Sequence, residues 1–576
     1  MQQSEMLNVS RMDITLDDRL DTFQQISQRR FIEILDSIPG RKDLIIEHKL
    51  MKLLDCFIGV TVLRRHGVDK IFKMEQGLNP ANTQRIFIVS CDLIACKRVL
   101  DQIQSEQTQS RGLSHHLLVA PLVPAVLYSL IEEEGLAGLV SVRSLSWELI
   151  RIDENVLSLE MPMFSDLYYH KDGGLLPALA RSLWSLQLLL GQPKLTVSLG
   201  KYSKQTLTMM ESMEESLPHS GVDNQLGALI LMDRNYDLAP ALLTPVTYLG
   251  LLSEVLEINT GTAVLGNSQT KLDPRKDHVY SEVRDRHFSD VFPILRGQAK
   301  SLKSEQEATQ TMKLAEMERY VTTKLQKTTE IKRQLSFHIS ACEAIVGALG
   351  SAFEILQSIE KSILECHGRK ECLDYIEKNI DDYPLRSLRL LSLLSITSDG
   401  ATHSELQSIQ KSHLHAHGYQ NIPLFNKMAN SGLLRYRTEN FLHKLPNWAS
   451  EWTAGAQRLK LLPSQSKRLD LKAPMCPSYV YSGAYIPAIA QLANIVLSQD
   501  TDRKSFDDLT NLPECTISGL RGPVQPKTIV LCIVGGITYG EISACRLVEK
   551  STGTRIVLAS DSLVTGNKLI ETIQNI

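Results

Sequence analysis

Residues 226–252, LGALILMDRNYDLAPALLTPVTYLGLL, decide how the rest of the chain is read. The apolar run Ala228 to Met232 predicts a strand buried on both faces, as in a parallel sheet covered by helices. Charged residues Asp233, Arg234 and Asp237 follow where that strand should end. Pro240 and Pro245 come next, and Leu249, Leu252, Val255 and Leu256 resume at helical spacing. Charges at the carboxyl end of a parallel strand are either an active site or a polar joint between domains.

Strand–helix alternation extends outward from this stretch. In the first third, Phe31 to Leu35 is helical. Strand-like Asp43 to Glu47, Arg85 to Val89 and His116 to Ala120 are each followed by a helix-like segment, at Leu50 to Arg65, Leu93 to Ile103 and Pro124 to Glu134. Such alternation implies parallel pairing through right-handed crossovers. Near the end, Lys527 to Val534 predicts a buried strand, Gly535-Gly536 a turn, and Glu541 to Glu549 a helix. Arg555 to Ala559 and Gly566 to Ile573 repeat the unit. Two strands cannot cover both of their faces, so this block must complete a sheet begun earlier, with Ala228 to Met232 as partner.

Between the two blocks the pattern is helical. Phe288 to Ala352 reads as helix over most of its length, a protruding hairpin with Arg319, Lys324, Lys327, Lys332 and Arg333 on its outer faces. Helical patterning continues through Tyr375 to Leu394 and Leu406 to Leu434. His403, His413, His415 and His417 are expected as exposed residues of a surface helix, since no helical HExxH accompanies them. Trp448 and Trp452 fall in a weakly patterned linker.

At 576 residues the chain is long enough for several domains, and 43% hydrophobic with 22% charged residues is ordinary for a folded protein. A net charge of −3 gives no reason to expect nucleic acid as partner. The polar N-terminus lacks a signal core, and the most apolar tract, Leu117 to Ile131, holds two prolines and is shorter than the ~20 residues of a membrane span. No transmembrane segment, metal or cofactor is therefore expected. The ten cysteines are scattered without zinc-knuckle spacing and are expected as reduced, packed thiols.

Two stretches invite an enzymatic reading. Gly535, Gly536, Thr538, Tyr539 and Glu541 lead from strand to helix, a place suited to phosphate. The expected Lys is missing, however, and Glu541 in the first helical turn opposes an anion while complementing the helix dipole. A structural turn at Gly535, Gly536, Thr538 and Glu541 is the better reading. Asp233, Arg234 and Asp237 could serve acid–base chemistry, yet no G-x-S-x-G or HExxH accompanies them, and a structural joint is favoured. The alternative is a doubly wound hydrolase or nucleotide-binding enzyme using Asp233 and the Gly535-Gly536 loop.

The stretch LILMDRNYDLAPALLTPVTYLGLLSEVL resembles the signature of the SM (Sec-one/Munc-eighteen-like) family, regulators of SNARE-mediated membrane fusion. Asp233-Arg234, Asp237 and Thr247-Tyr248 keep the family pattern, with Pro240 shifted ahead of Leu242. Late in the chain Gly535, Gly536, Thr538, Glu541 and Arg546 match a second family segment, with Cys545 where Leu is usual. Ile38 to Asp55, Arg286 to Leu302, Leu335 to Ile345, Leu388 to Gly400 and Leu469 to Pro487 resemble its vacuolar-sorting branch, B type. The resemblance implies an arch-shaped, three-domain α/β fold without catalysis. It would place a first α/β domain at 1–150, a split second one at 151–245 and 473–576, and a mainly helical third at 246–472. It further implies a SNARE-binding role in tethering and fusion, peripheral on late endosome, lysosome or recycling endosome membranes. A Vps sixteen-like subunit would dock on Tyr419 and Ile422, small GTPases of the Rab class would act through the complex, and the hairpin around Arg319, Lys324, Lys327 and Lys332 would face a SNARE helix.

Overall fold

The computed structural model describes residues 15–75, 81–109, 112–216, 226–309, 325–350, 352–437, 451–463, 474–497, 508–519 and 528–576. The chain divides into two compact units. One comprises Met1–Arg151, Gly174–Gln192 and Thr206–Asn224, the other Ile152–Gly173, Pro193–Gln205 and Gln225–Ile576.

The first unit is built on five strands: β1 (Lys42–Ile46), β2 (Val68–Lys73), β3 (Gln84–Ser90), β4 (Ser114–Ala120) and β5 (Val140–Ser144). They pair in the order β2-β1-β3-β4-β5, all in parallel. The order runs outward from β1 in both directions, which is a doubly wound topology. The continuous apolar runs of β1, β3 and β4 are central because both faces of a central strand are covered. Phe87, Val89, Leu117 and Val119 pack against Val99, Leu100, Leu127 and Ile131 of the helices Leu93–Gln109 and Ala125–Glu133. Only the two edge strands went unanticipated. VDKIFK and VSVRS lack an apolar run because an edge position is only partly covered.

The second unit carries β6 (Ile150–Asp153) from Ile152 onward, β7 (Val156–Ser158), β8 (Leu195–Leu199) and β9 (Leu226–Asp233). It then forms a small antiparallel meander, β10 (Glu257–Asn259), β11 (Thr262–Leu265) and β12 (Ser268–Lys271). The late strands are β13 (Cys515–Gly519), β14 (Thr528–Val534), β15 (Ile537–Thr538), β16 (Arg555–Ser560) and β17 (Leu563–Val564). The main sheet has the order β13-β8-β9-β14-β16-β7-β6. Strand β14 lies parallel to and between β9 and β16, so the late block does complete the sheet that β9 begins.

Apart from the meander and β13, the described residues between β9 and β14 are mainly helical. After the short helices Ala239–Leu242, Tyr248–Val255 and His278–Val283 come Phe288–Thr309, Leu325–Leu349, Phe353–Leu364, Arg369–Asn379, Pro384–Thr397, His403–His417 and Ile422–Asn430. Three expectations are corrected. The helix Tyr248–Val255 stops one residue before Leu256, where the chain turns into β10. The stretch Tyr375 to Leu394 is two helices, because Pro384 can begin a helix but not continue one. Trp452 lies not in a linker but in the helix Glu451–Arg458, stacked 6.3 Å from Tyr485, while Trp448 falls outside the described residues. All ten cysteines are free thiols. Among the described residues no single helix is long and apolar enough to cross a membrane.

Candidate functional site

Strand β9 delivers Arg234 into a fully buried position at the carboxyl edge of the sheet. Its guanidinium donates to both oxygens of Glu541, at 2.7 and 2.8 Å, to the Gly536 carbonyl at 3.3 Å, and to the Asp237 carbonyl. Glu541 is the third residue of the helix Tyr539–Thr552, which Thr538 caps. Thr538 N donates to Glu541 Oε2 at 2.9 Å, and Glu541 N donates to Thr538 Oγ1 at 3.1 Å. One carboxylate thus closes the helix cap and neutralises a buried cation. Burial works against the Arg234 charge, but the Glu541 carboxylate outweighs it and holds its pKa above the ordinary value. The charge partner of Arg234 is therefore Glu541, not the neighbouring Asp233.

The two aspartates have other tasks. Asp237 accepts from Tyr485 Oη and Ala488 N, both at 2.8 Å, and burial pushes its carboxyl up to about 6 against the pull of Arg234. Asp233 accepts from Tyr202 N at 2.9 Å and from Ser203 N and Oγ at 2.6 Å, at the start of the helix Lys201–Ser216. Burial raises its pKa too.

The Gly535-Gly536 loop has the geometry of an anion cradle, and it is filled. Both amides donate to Asp561 Oδ1, at 2.6 and 2.9 Å, and Met163 N donates to Asp561 Oδ2 at 3.0 Å. Both glycines have φ near +100°, and a Cβ at Gly535 would fall 2.6 Å from the Tyr168 ring. The Tyr168 hydroxyl donates to Val534 O at 2.8 Å and accepts from Arg234 N at 2.9 Å, tying the ends of β9 and β14. The chain's own carboxylates, Asp233 and Asp561, thus occupy the donors a phosphate would need. Sequence reasoning missed Asp561, Tyr168 and Tyr485; only Asp561 carried a signal, as the first residue after the apolar strand RIVLAS. Among the described residues no group of three His, Cys, Asp or Glu side chains could hold a metal ion.

Tyr419 and Ile422 lie apart from this edge, 64% and 49% exposed. They sit at a corner where Gly418 ends the helix His403–His417 and the helix Ile422–Asn430 begins. Asn421 braces the corner, donating to His417 O and accepting from Gln574 Nε2, each at 2.9 Å. His413, expected on the surface, is only 3% exposed. Its ring packs 4.9 Å from His417 and 5.7 Å from Phe425, and neither of its nitrogens has a hydrogen-bond partner among the described residues. Burial and the nearby His417 push its pKa down to about 4.

Lys327 and Lys332 are exposed on the helix Leu325–Leu349; Arg319 and Lys324 lie outside the described residues. His338 fastens that helix to the body of its unit, bonding Tyr248 Oη at 2.8 Å and Asp277 Oδ2 at 3.1 Å.

Comparison with known proteins reaches nearly the whole chain. The family model described as the Sec1 family matches residues 42–572. The vacuolar protein sorting-associated protein 33B of Rattus norvegicus is 28% identical, over 96% of this chain and 97% of its own. Among solved structures, the Unc18–syntaxin 1 complex from Monosiga brevicollis superposes with a TM-score of 0.61 at 14% identity, covering 96% of this chain and 99% of that one. The SM protein Vps45 in complex with the Qa SNARE Tlg2 gives 0.62 at 15% identity, over 96% and 97%.

Proposed function

The chain belongs to the Sec1 family, and on that premise we propose that it is a non-catalytic, SNARE-binding regulator of vesicle tethering and fusion. The observation that carries this reading is the filled carboxyl edge of the second unit's sheet. An enzyme of this topology binds its ligand there; here Asp561 occupies the glycine loop and Glu541 neutralises Arg234. Arg234, Asp237, Gly535, Gly536, Thr538 and Glu541 act together as a structural joint. They lead the sheet into the helical residues 246–472, which we read as a third domain beside 1–150 and the split pair 151–245 and 473–576.

Binding falls to exposed groups. Lys327 and Lys332 are exposed cations on the helix Leu325–Leu349 that would suit an acidic partner helix, in line with a protein of the same fold solved with a Qa SNARE. Tyr419 and Ile422 are an aromatic and an aliphatic anchor exposed at one corner, and a Vps sixteen-like subunit is the partner we assign to them. The protein would act on the cytoplasmic face of late endosomal, lysosomal or recycling membranes, with Rab-class GTPases reaching it through the complex.

A pull-down with a single Qa-SNARE motif and with the assembled SNARE bundle tests this. Retention of either, weakened by Lys327→Glu with Lys332→Glu and by salt, is the expected result. Failure to retain both would reduce the chain to a helical adaptor.

A further inference from the structure

Glu360, in the helix Phe353–Leu364, is a carboxyl at 5% exposure without a cation bonded to it among the described residues. Its Oε1 lies 2.7 Å from Thr244 Oγ1, and its Oε2 accepts from Thr244 N at 3.1 Å. Thr244 lies between the Arg234–Asp237 joint and the helix Tyr248–Val255. Thus the helix next in sequence after Leu325–Leu349 grips the segment that leaves the joint.

The charges around Glu360 explain its state. Arg389, from the helix Pro384–Thr397, is the nearby cation, but its guanidinium is engaged elsewhere. It donates to Leu242 O at 3.3 Å, Leu243 O at 3.0 Å, Asn567 Oδ1 at 3.4 Å and the carboxylate of Glu254. Glu254, from Tyr248–Val255, adds a like charge. From Arg369–Asn379 the titratable neighbour is Cys372, a thiol whose pKa burial pushes up to about 12. A protonated carboxyl suits this setting, one oxygen donating to Thr244 Oγ1 while the other accepts the Thr244 amide. An ionised one could still accept both Thr244 bonds, but it would be a buried charge with no cation bonded to it among the described residues, and the cost of burial outweighs those bonds.

We propose that Glu360 is a proton-operated latch, holding the Phe353–Leu364 helix to Thr244 when protonated and releasing it when ionised. Burial pushes the carboxyl up to about 7, with Arg389 opposing, so the change falls in the neutral range. A pKa raised in the closed state means that the grip is full below the ordinary value of 4.5 and is lost as pH rises through about 7. Between pH 6 and pH 8 the opening constant should therefore rise about tenfold.

Hydrogen exchange on the full chain, corrected for the pH dependence of intrinsic exchange, reads this opening at Thr244 and along the Phe353–Leu364 helix. The expected result is an increase of about tenfold in the wild type and less than twofold in Glu360→Gln, whose amide keeps both bonds without titrating. A flat wild type, or a Glu360→Gln protein with the same slope, overturns the proposal. Should Glu360→Gln misfold, the wild type's infrared spectrum at pH 7 decides, since absence of a protonated-carboxyl band titrating near neutrality overturns it as well. No partner is present, so the outcome is independent of the SNARE-binding reading.

Discussion

Arg234 and Glu541 stand 307 positions apart in sequence and meet in two hydrogen bonds of 2.7 and 2.8 Å, both side chains fully buried. Arg234 directly follows β9 and Glu541 lies in the first turn of the helix Tyr539–Thr552, which follows β14 and β15, so the pair clamps together two strands contributed from either side of the helical region. Removing one partner leaves the other charge buried alone, whereas removing both does not. Arg234→Met or Glu541→Leu alone should cost about 3–5 kcal/mol in urea unfolding. The double replacement should cost less than the sum of the single ones. Additive losses would mean that the two residues act independently.

Asp561 makes the second testable contact. Asp561→Ala strips the Gly535, Gly536 and Met163 amides of their acceptor. A loss of about 1–3 kcal/mol is expected for leaving such buried donors unpaired. If the loop is an anion cradle filled from within, sulfate should raise the melting temperature of Asp561→Ala more than that of the wild type. Equal shifts in the two proteins would count against that reading.

The sheet cores were legible because a strand buried on both faces needs an unbroken apolar run, and Leu226–Asp233 and Thr528–Val534 supply one. Side-chain pairing across the inserted helices was not. Nothing local distinguishes Glu541 as the partner of Arg234, since helix capping alone accounts for a Glu three residues after Thr538. His413 was misjudged for a different reason. Leu406, Ile409 and His413 step by three and four, the spacing of a buried stripe, but four histidines in a polar helix drew the reading toward the surface.

That buried imidazole predicts a pH dependence. A folded-state pKa lowered from the ordinary 6.5 to about 4 means that stability is intact above 6.5 and drains away as pH falls toward 4. The direction follows from geometry, since the charged ring would lack an acceptor among the described residues and would face His417. His413→Leu should therefore flatten the stability profile between these limits, by about 1–3 kcal/mol at the acid end. Unfolding titrations of both proteins measure it, and parallel profiles would exclude His413 as the source.

Tyr419 and Ile422 call for the opposite signature, lost binding without lost stability. Both are exposed, so Tyr419→Asp and Ile422→Lys should change the unfolding free energy by no more than about 0.5 kcal/mol. Buried at the centre of an interface, each would cost about 2 kcal/mol or more of affinity, some thirtyfold in Kd. Calorimetry with a Vps sixteen-like subunit separates the two quantities. Neighbouring Phe425 supplies the control, because it is buried against His413 and Phe425→Ala should lower stability first. If Tyr419→Asp bound as tightly as the wild type, the docking surface would have to be sought elsewhere, though the corner held by Asn421 would stand unchanged.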